Sequence, residues 1–183
     1  MLPWLTYPRI NHFTVKLYSL VVPAILTLIA AIWYFQADSK PSLLGNLSLS
    51  SFVFSVFSLL PGFLIAALSA AATFGNPHVD EDIGDENTKM PIKIDGKVEW
   101  DTPSKRQIAI YLFYFLLINS IAVVLLSGAG TFLFQSPIGS SVGNTYGIGH
   151  GIYFVLLFFL SSVTLSSLVH GLTFFVERLT SLD

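Results

Sequence analysis

Long uncharged stretches separate short charged ones along this chain. Asp, Glu, Lys and Arg are absent between Lys16 and Asp38, and at about 1.5 Å per helical residue such a stretch crosses the ~30 Å hydrocarbon core of a bilayer. A second uncharged run is densest in apolar residues at 49–74, and seventy uncharged residues follow Arg106. The pattern predicts membrane-spanning helices, the first two of them at 17–37 and 49–74.

The seventy-residue run is too long for one crossing, which needs about 20 apolar residues. Pro137 and several glycines interrupt it within 135–151, and such residues break helical periodicity. We therefore expect a third span at 108–134 and a fourth at 152–176. The predicted fold class is an all-α membrane protein with four transmembrane helices and a short β-hairpin in its central loop. The remaining segments are 1–16, 38–48, 75–107, 135–151 and 177–183.

Lysine and arginine are shared unequally between the two sides of the membrane that four spans define. Eight of the nine fall on one side, and only Lys40 falls on the other. Cytoplasmic loops carry the excess of such residues. We therefore expect a multi-pass protein of a bacterial inner membrane with both termini and the loop 75–107 in the cytoplasm.

Composition narrows the possible functions. The chain is 53% hydrophobic and 11% charged, whereas about 25% of the residues in a soluble domain are charged. A formal net charge of −2 offers no basic excess for nucleic acid, and the absence of cysteine excludes disulfides and thiolate chemistry. We expect no cofactor and no enzymatic activity, because no catalytic triad, zinc-binding spacing or phosphate-binding glycine loop occurs in a suitable context.

A strip of small side chains recurs along the second span, mostly at four-residue spacing. Its members are Ser51, Ser55, Gly62, Ala66 and Ala70. Small residues let helices approach closely in membranes. Packing within the monomer is the favoured interpretation, and a subunit interface or a pore lining is the alternative. Pro23 and Pro61 lie inside spans and predict bends.

Polar residues within the later spans form a second candidate feature. Asn119 lies in the third span, and a stripe along one face of the fourth comprises Ser162, Ser166, His170 and Glu177. Polar groups are costly in hydrocarbon, so the stripe should face protein or water. Hydrogen bonds between helices are the favoured interpretation, and a proton or ion path is the alternative.

The central loop opens with a cluster of acidic residues, Asp80, Glu81, Asp82, Asp85 and Glu86. The cluster lacks the ligand spacing of a calcium-binding loop. We interpret it as a solvated turn.

A predicted β-hairpin near 91–100 follows the acidic cluster. Its apolar residues alternate with charged ones on both sides of Asp95-Gly96, a turn signal. We favour the register that pairs Ile94 with Val98, because it gathers Ile92, Ile94, Val98 and Trp100 on one face. That face needs a cover, which could be the chain's own helices, another subunit or a partner protein. Asp101-Thr102-Pro103 then supplies a cap and a first-turn proline for the next helix.

The chain resembles small bacterial four-span membrane proteins, and in organisation and size it is similar to the membrane subunit of the Kiwa anti-phage system. The resemblance covers about residues 55 to 125 and contains no catalytic signature. The segments that carry it are Leu60-Pro61-Gly62-Phe63, Ala66-Ala67, Ala72-Thr73-Phe74 and Lys105-Arg106. It implies an oligomeric inner-membrane component that senses membrane perturbation by phage and engages a cytosolic, DNA-binding effector.

Two functions are compatible with these features. The favoured one is a non-enzymatic membrane scaffold or sensor that forms homo-oligomers and docks a cytosolic protein through the hairpin residues Ile92, Ile94, Val98 and Trp100. The alternative is an oligomeric channel or holin-like pore. Both predict contact with the lipid bilayer and no direct binding of nucleic acid.

Overall fold

The computed structural model describes residues 6–37, 43, 48–73, 81–82, 88–94, 97–133 and 148–180. Side chains at 92–94, 97, 131–133, 148 and 174–180 are not among the described ones. Residues 135–147 of the predicted glycine-rich segment 135–151 lie outside the described residues, as do three members of the acidic cluster, Asp80, Asp85 and Glu86.

Within the part of the chain that the structure describes, four helical segments are long and apolar enough to cross a membrane, which confirms the predicted fold class of this multi-pass membrane protein. They are the first span at Phe13–Gln36, the second at Leu49–Thr73, the third at Lys105–Gly130 and the fourth at Gly149–Thr173. The third and fourth spans belong to longer helices, Lys105–Leu133 and Ile148–Thr180. Uninterrupted helices suit a bilayer because every internal backbone group is bonded within the segment.

The third and fourth spans form the middle of the bundle. The first span packs against the fourth, the fourth against the third, and the third against both halves of the second. Within the most apolar 18-residue window of each span, 44% of the third and 33% of the fourth are buried, against 22% of the first and 17% of the second. The first and second spans therefore present most of their surface outward.

Both predicted bends coincide with interruptions of a helix. The first span consists of the helix Phe13–Lys16, a π-helical turn Leu17–Val21 and the helix Val22–Gln36, with Pro23 two residues into the last. The second span is divided into Leu49–Phe57 and Leu60–Thr73. Pro61 is again the second residue of the later helix.

The central loop contains the predicted two-stranded hairpin, with β1 at Met90–Ile94 and β2 at Lys97–Asp101, but in a different register. Ile94 lies opposite Lys97 and Lys93 opposite Val98, so the predicted pairing of Ile94 with Val98 is wrong. Opposite positions share a face and successive positions alternate. Positions 92 and 94 therefore lie on one face and positions 98 and 100 on the other. The two-residue connection sets this register, since turn length fixes strand pairing.

A capping box starts the third span. The Ser104 N–H donates to Oε1 of Gln107 at 3.1 Å, and the Gln107 N–H donates to Oγ of Ser104 at 3.3 Å. The predicted cap within Asp101-Thr102-Pro103 is wrong, because Asp101 still belongs to β2. Its carboxylate accepts from the Thr102 N–H at 2.8 Å instead.

Candidate functional site at the hairpin end of the bundle

The small-residue strip of the second span lies on the exposed side of its helix. Ser55, Gly62, Ala66 and Ala70 are all exposed and Ser51 is half-buried, and a Cβ added to Gly62 would meet no atom within 4 Å. Packing within the monomer is therefore not seen for these four exposed members against the described residues. Their exposure is compatible with the alternative interpretation, a subunit interface or a pore lining.

Close helix contacts occur instead at three glycines of the third and fourth spans, which we call the seam glycines: Gly130, Gly151 and Gly171. A Cβ at Gly130 would lie 2.0 Å from Oη of Tyr153, and one at Gly171 would lie 2.6 Å from a Leu112 methyl. At Gly151 the Cβ would lie 2.7 Å from the Phe35 ring. Sequence reasoning placed none of these in a helix contact, although isolated glycines inside apolar runs are a usable signal for close approach.

The fourth-span stripe is used for contacts between segments of the same chain. The Ser166 hydroxyl donates to the carbonyl oxygen of Tyr18 at 2.6 Å, and Nδ1 of His170 is hydrogen-bonded to the Tyr7 hydroxyl at 2.8 Å. Ser162 is buried beside them on the same helix. The favoured interpretation, hydrogen bonds between helices, is confirmed for Ser166, which bonds to the first span, whereas His170 bonds to Tyr7 in the segment before that span. The side chain of Glu177 lies outside the described part of the chain.

Asn119 does not join this network through any described bond. Its amide donates to the Phe115 carbonyl of its own helix at 2.9 Å. Bonding within one helix satisfies an amide N–H in an apolar environment without recruiting a neighbour.

The π-helical turn explains why a carbonyl of the first span is free to accept from Ser166. The Val22 N–H donates to Leu17, five residues earlier, and the same pattern would require Pro23 to donate to Tyr18. Proline has no N–H. The Tyr18 carbonyl therefore lacks this backbone donor within its own helix. An unsatisfied acceptor inside the protein is costly, and the Ser166 hydroxyl satisfies it.

Tyr7 connects the segment before the first span to this network. Its side chain is fully buried, and its ring lies 5.3 Å from that of Phe115 in the third span. The ring of His170 stacks on Tyr18 at 5.2 Å. Burial raises the pKa of the Tyr7 hydroxyl, so this group stays neutral and needs no counter-ion. Sequence reasoning missed Tyr7, because a tyrosine outside the predicted spans carries no local signal of burial.

The hairpin is attached to the same segment. The Asn11 N–H donates to the Lys89 carbonyl at 2.9 Å, and the adjacent Met90 is fully buried in one apolar cluster with Tyr7 and Ile10. The start of β1 is therefore covered, at Met90, by the chain's own N-terminal segment.

A small apolar surface remains open on β2. Val98 and Trp100 are 50% and 55% exposed, and register positions 98 and 100 share a face of the hairpin. Glu99 and Asp101 alternate with them along β2 and therefore lie on the opposite face, and both are also exposed. We call Val98 and Trp100 the β2 patch.

An ion pair joins the loop to the start of the third span. Nζ of Lys105 lies 3.1 Å from Oε2 of Glu81, and the Lys105 N–H donates to the Glu81 carbonyl at 3.2 Å. A partly exposed pair of this kind contributes little to stability. Together with the backbone bond it fixes where the loop returns to the bundle.

Comparison with known proteins gives no relative for this chain: no family profile, no curated protein and no solved structure matches it. Among the described residues, no group of three or more His, Cys, Asp or Glu side chains is arranged to hold a metal ion.

Proposed function

We propose that the protein is a non-enzymatic membrane scaffold or sensor that docks a cytosolic protein on the β2 patch. The observation that carries this proposal is a hairpin anchored at Met90 that nevertheless leaves Val98 and Trp100 about half exposed. An anchored aromatic residue is a good docking element, since little conformational entropy remains to be lost on binding. Tryptophan is also enriched among residues that dominate binding energy.

Charge favours a protein partner over the membrane surface. Glu99 and Asp101 flank Trp100 in the sequence and are exposed. Cytoplasmic leaflets carry anionic lipid, which would repel these carboxylates, whereas a basic protein surface would attract them. We therefore propose a partner with an apolar pocket for Trp100 and basic residues that reach Glu99 and Asp101 on the opposite face of β2.

The proposal includes an orientation and a biological setting. Both termini and the hairpin lie in the cytoplasm of a bacterial cell, and the membrane is the inner one, on the basis of the lysine and arginine bias. The pattern shared with the Kiwa membrane subunit supports anti-phage defence as the setting. A reporter fused near Gly96 tests the orientation, and activity on the periplasmic side would contradict it.

Purification from detergent with matched tryptophan variants tests the docking site. We expect Trp100→Ala to lose a co-purifying chain that the wild type and Trp33→Ala retain. Trp33 is a suitable control because it is 58% exposed but lies in the first span. An identical set of co-purifying chains for all three proteins would contradict docking on this patch.

The charges provide a second measurement on the same partner. Replacing Glu99 and Asp101 by Gln and Asn should slow association and reduce its dependence on salt, because complementary charges mainly raise the association rate. Unchanged association rates would contradict a basic surface on the partner.

A second candidate function is an oligomeric channel, and the exposed strip of the second span favours it. Hydroxyl groups accompany the strip at Ser55, Ser58 and Thr73, all exposed and all bonded to carbonyls of their own helix. Such a face could line a pore between subunits. Ion flux in vesicles that contain the purified protein would support it, and a monomer that conducts nothing would exclude it.

A further inference from the structure

Residues 6–12 form a short segment that crosses the hairpin end of the bundle rather than extending into solvent. It contains the 3-10 turn Tyr7–Arg9. Thr6, Tyr7 and Ile10 are buried. We call residues 6–12 the strap.

One end of the strap is held where the first, third and fourth spans meet. Tyr7 is hydrogen-bonded to His170 at 2.8 Å and packs on Phe115. His170 in turn stacks on Tyr18 at the π-helical turn. One helical turn away, Ser166 holds the Tyr18 carbonyl. The same face of the fourth span thus binds both the strap and the interrupted part of the first span.

The other end of the strap is held by the hairpin. Asn11 donates to the Lys89 carbonyl at 2.9 Å, and Met90 packs in the same apolar cluster as Tyr7 and Ile10. Only four residues lie between Met90 and Asp95, where the strand connection begins. A displacement of the strap is therefore expected to move β1, which pairs with β2.

The interrupted first span is a suitable input for such a displacement. It packs outward with little buried surface and touches mainly the fourth span. A π-helical turn next to a proline is less firmly bonded than a regular helix, and such turns are frequent at functional sites. Movement of the first span against the fourth alters the surroundings of His170 and Tyr18 together.

We infer that the strap couples the packing of the first and fourth spans to the hairpin, with the Tyr7–His170 hydrogen bond as its latch. When the bond is intact the hairpin is held against the bundle. When the bond opens, the strap and β1 are released together while the contacts between the third and fourth spans stay closed. This inference goes beyond the docking proposal and does not require any partner to exist.

Hydrogen exchange measured by mass spectrometry on the full-length protein in lipid nanodiscs tests the latch. The variants are Tyr7→Phe, which removes only the hydroxyl, and His170→Ala. The conservative variant His170→Asn keeps an amide near the position of Nδ1. Tyr18→Phe is the control, because it keeps the ring that stacks on His170.

We expect Tyr7→Phe and His170→Ala to raise exchange roughly two- to tenfold in peptides from both the strap and 88–94, as loss of one buried hydrogen bond would. Peptides from 112–127 in the third span should not change. His170→Asn should restore most of the protection, and Tyr18→Phe should match the wild type.

Several results would overturn the inference. If the strap opens without 88–94, the two are not coupled, and if neither changes, the bond is not a latch. Uniform exchange across the third span would show general destabilisation instead of release. If Tyr18→Phe raised hydrogen exchange as much as Tyr7→Phe, the increase could not be assigned to the Tyr7–His170 hydrogen bond. Failure of the docking proposal would leave all these measurements unaffected.

Discussion

The strip of the second span and the seam glycines show how the same kind of residue reaches opposite environments. Gly62 has open space around it, whereas Gly171 faces a Leu112 methyl that would lie 2.6 Å from an added Cβ. The second span lies at the edge of the bundle and the fourth in its middle. Small residues therefore indicate that another helix can come close to this surface. The position of the helix in the bundle decides whether a helix of the same chain does so.

The largest effect is expected from filling a seam glycine. Gly171→Ile should lower the free energy of unfolding by about 1–3 kcal/mol, because the buried Leu112 cannot move aside without strain. Thermal unfolding in detergent, followed by circular dichroism, measures the loss. Gly62→Ile is the matched control and should leave the unfolding of the monomer unchanged. Equal losses for both variants would remove the distinction between the two regions.

Association provides the converse measurement on the strip. Gly62→Ile and Ala66→Ile should weaken self-association about tenfold, which corresponds to ~1.4 kcal/mol, if a second copy packs on this face. Native mass spectrometry and sedimentation of the detergent-solubilised protein give the distribution of oligomers. An oligomer that tolerates both changes would have its interface elsewhere.

A smaller effect is expected from a hydroxyl that joins two segments. Ser166→Ala should cost about 0.6–1.7 kcal/mol of unfolding free energy, since the Tyr18 carbonyl would lose its donor. Chemical unfolding in mixed micelles is sufficient to detect this. No measurable change would mean that water or another group satisfies the carbonyl.

The smallest effects are expected from hydroxyls that bond only to their own helix. Ser55 in the strip and Ser120, fully buried in the third span, both donate to carbonyls of the same helix. Replacing either by alanine should change the unfolding free energy by no more than about 0.5 kcal/mol. A large loss at Ser120 alone would show that its hydroxyl also serves a neighbouring helix.

In the hairpin, the sequence predicted the two strands but not how they pair. The alternation of residues and the Asp95-Gly96 signal correctly placed two strands. The favoured register was wrong because it assumed that all four apolar residues must share a face. The strap covers part of the hairpin, since it buries Met90 at the start of β1, while Val98 and Trp100 of β2 stay about half exposed.

The number of spans and the position of the hairpin were readable from the sequence alone, because hydrophobic length and turn chemistry are local properties. Which face of each span would be buried was not readable. Lipid tails are as apolar as leucine, so an apolar residue gains little free energy by facing protein instead of lipid. The positions of apolar residues in a span therefore do not indicate which face is buried. The tertiary structure alone decided that the second-span strip is exposed, that Ser166 and His170 bind the first span and the strap, and that Tyr7 is buried.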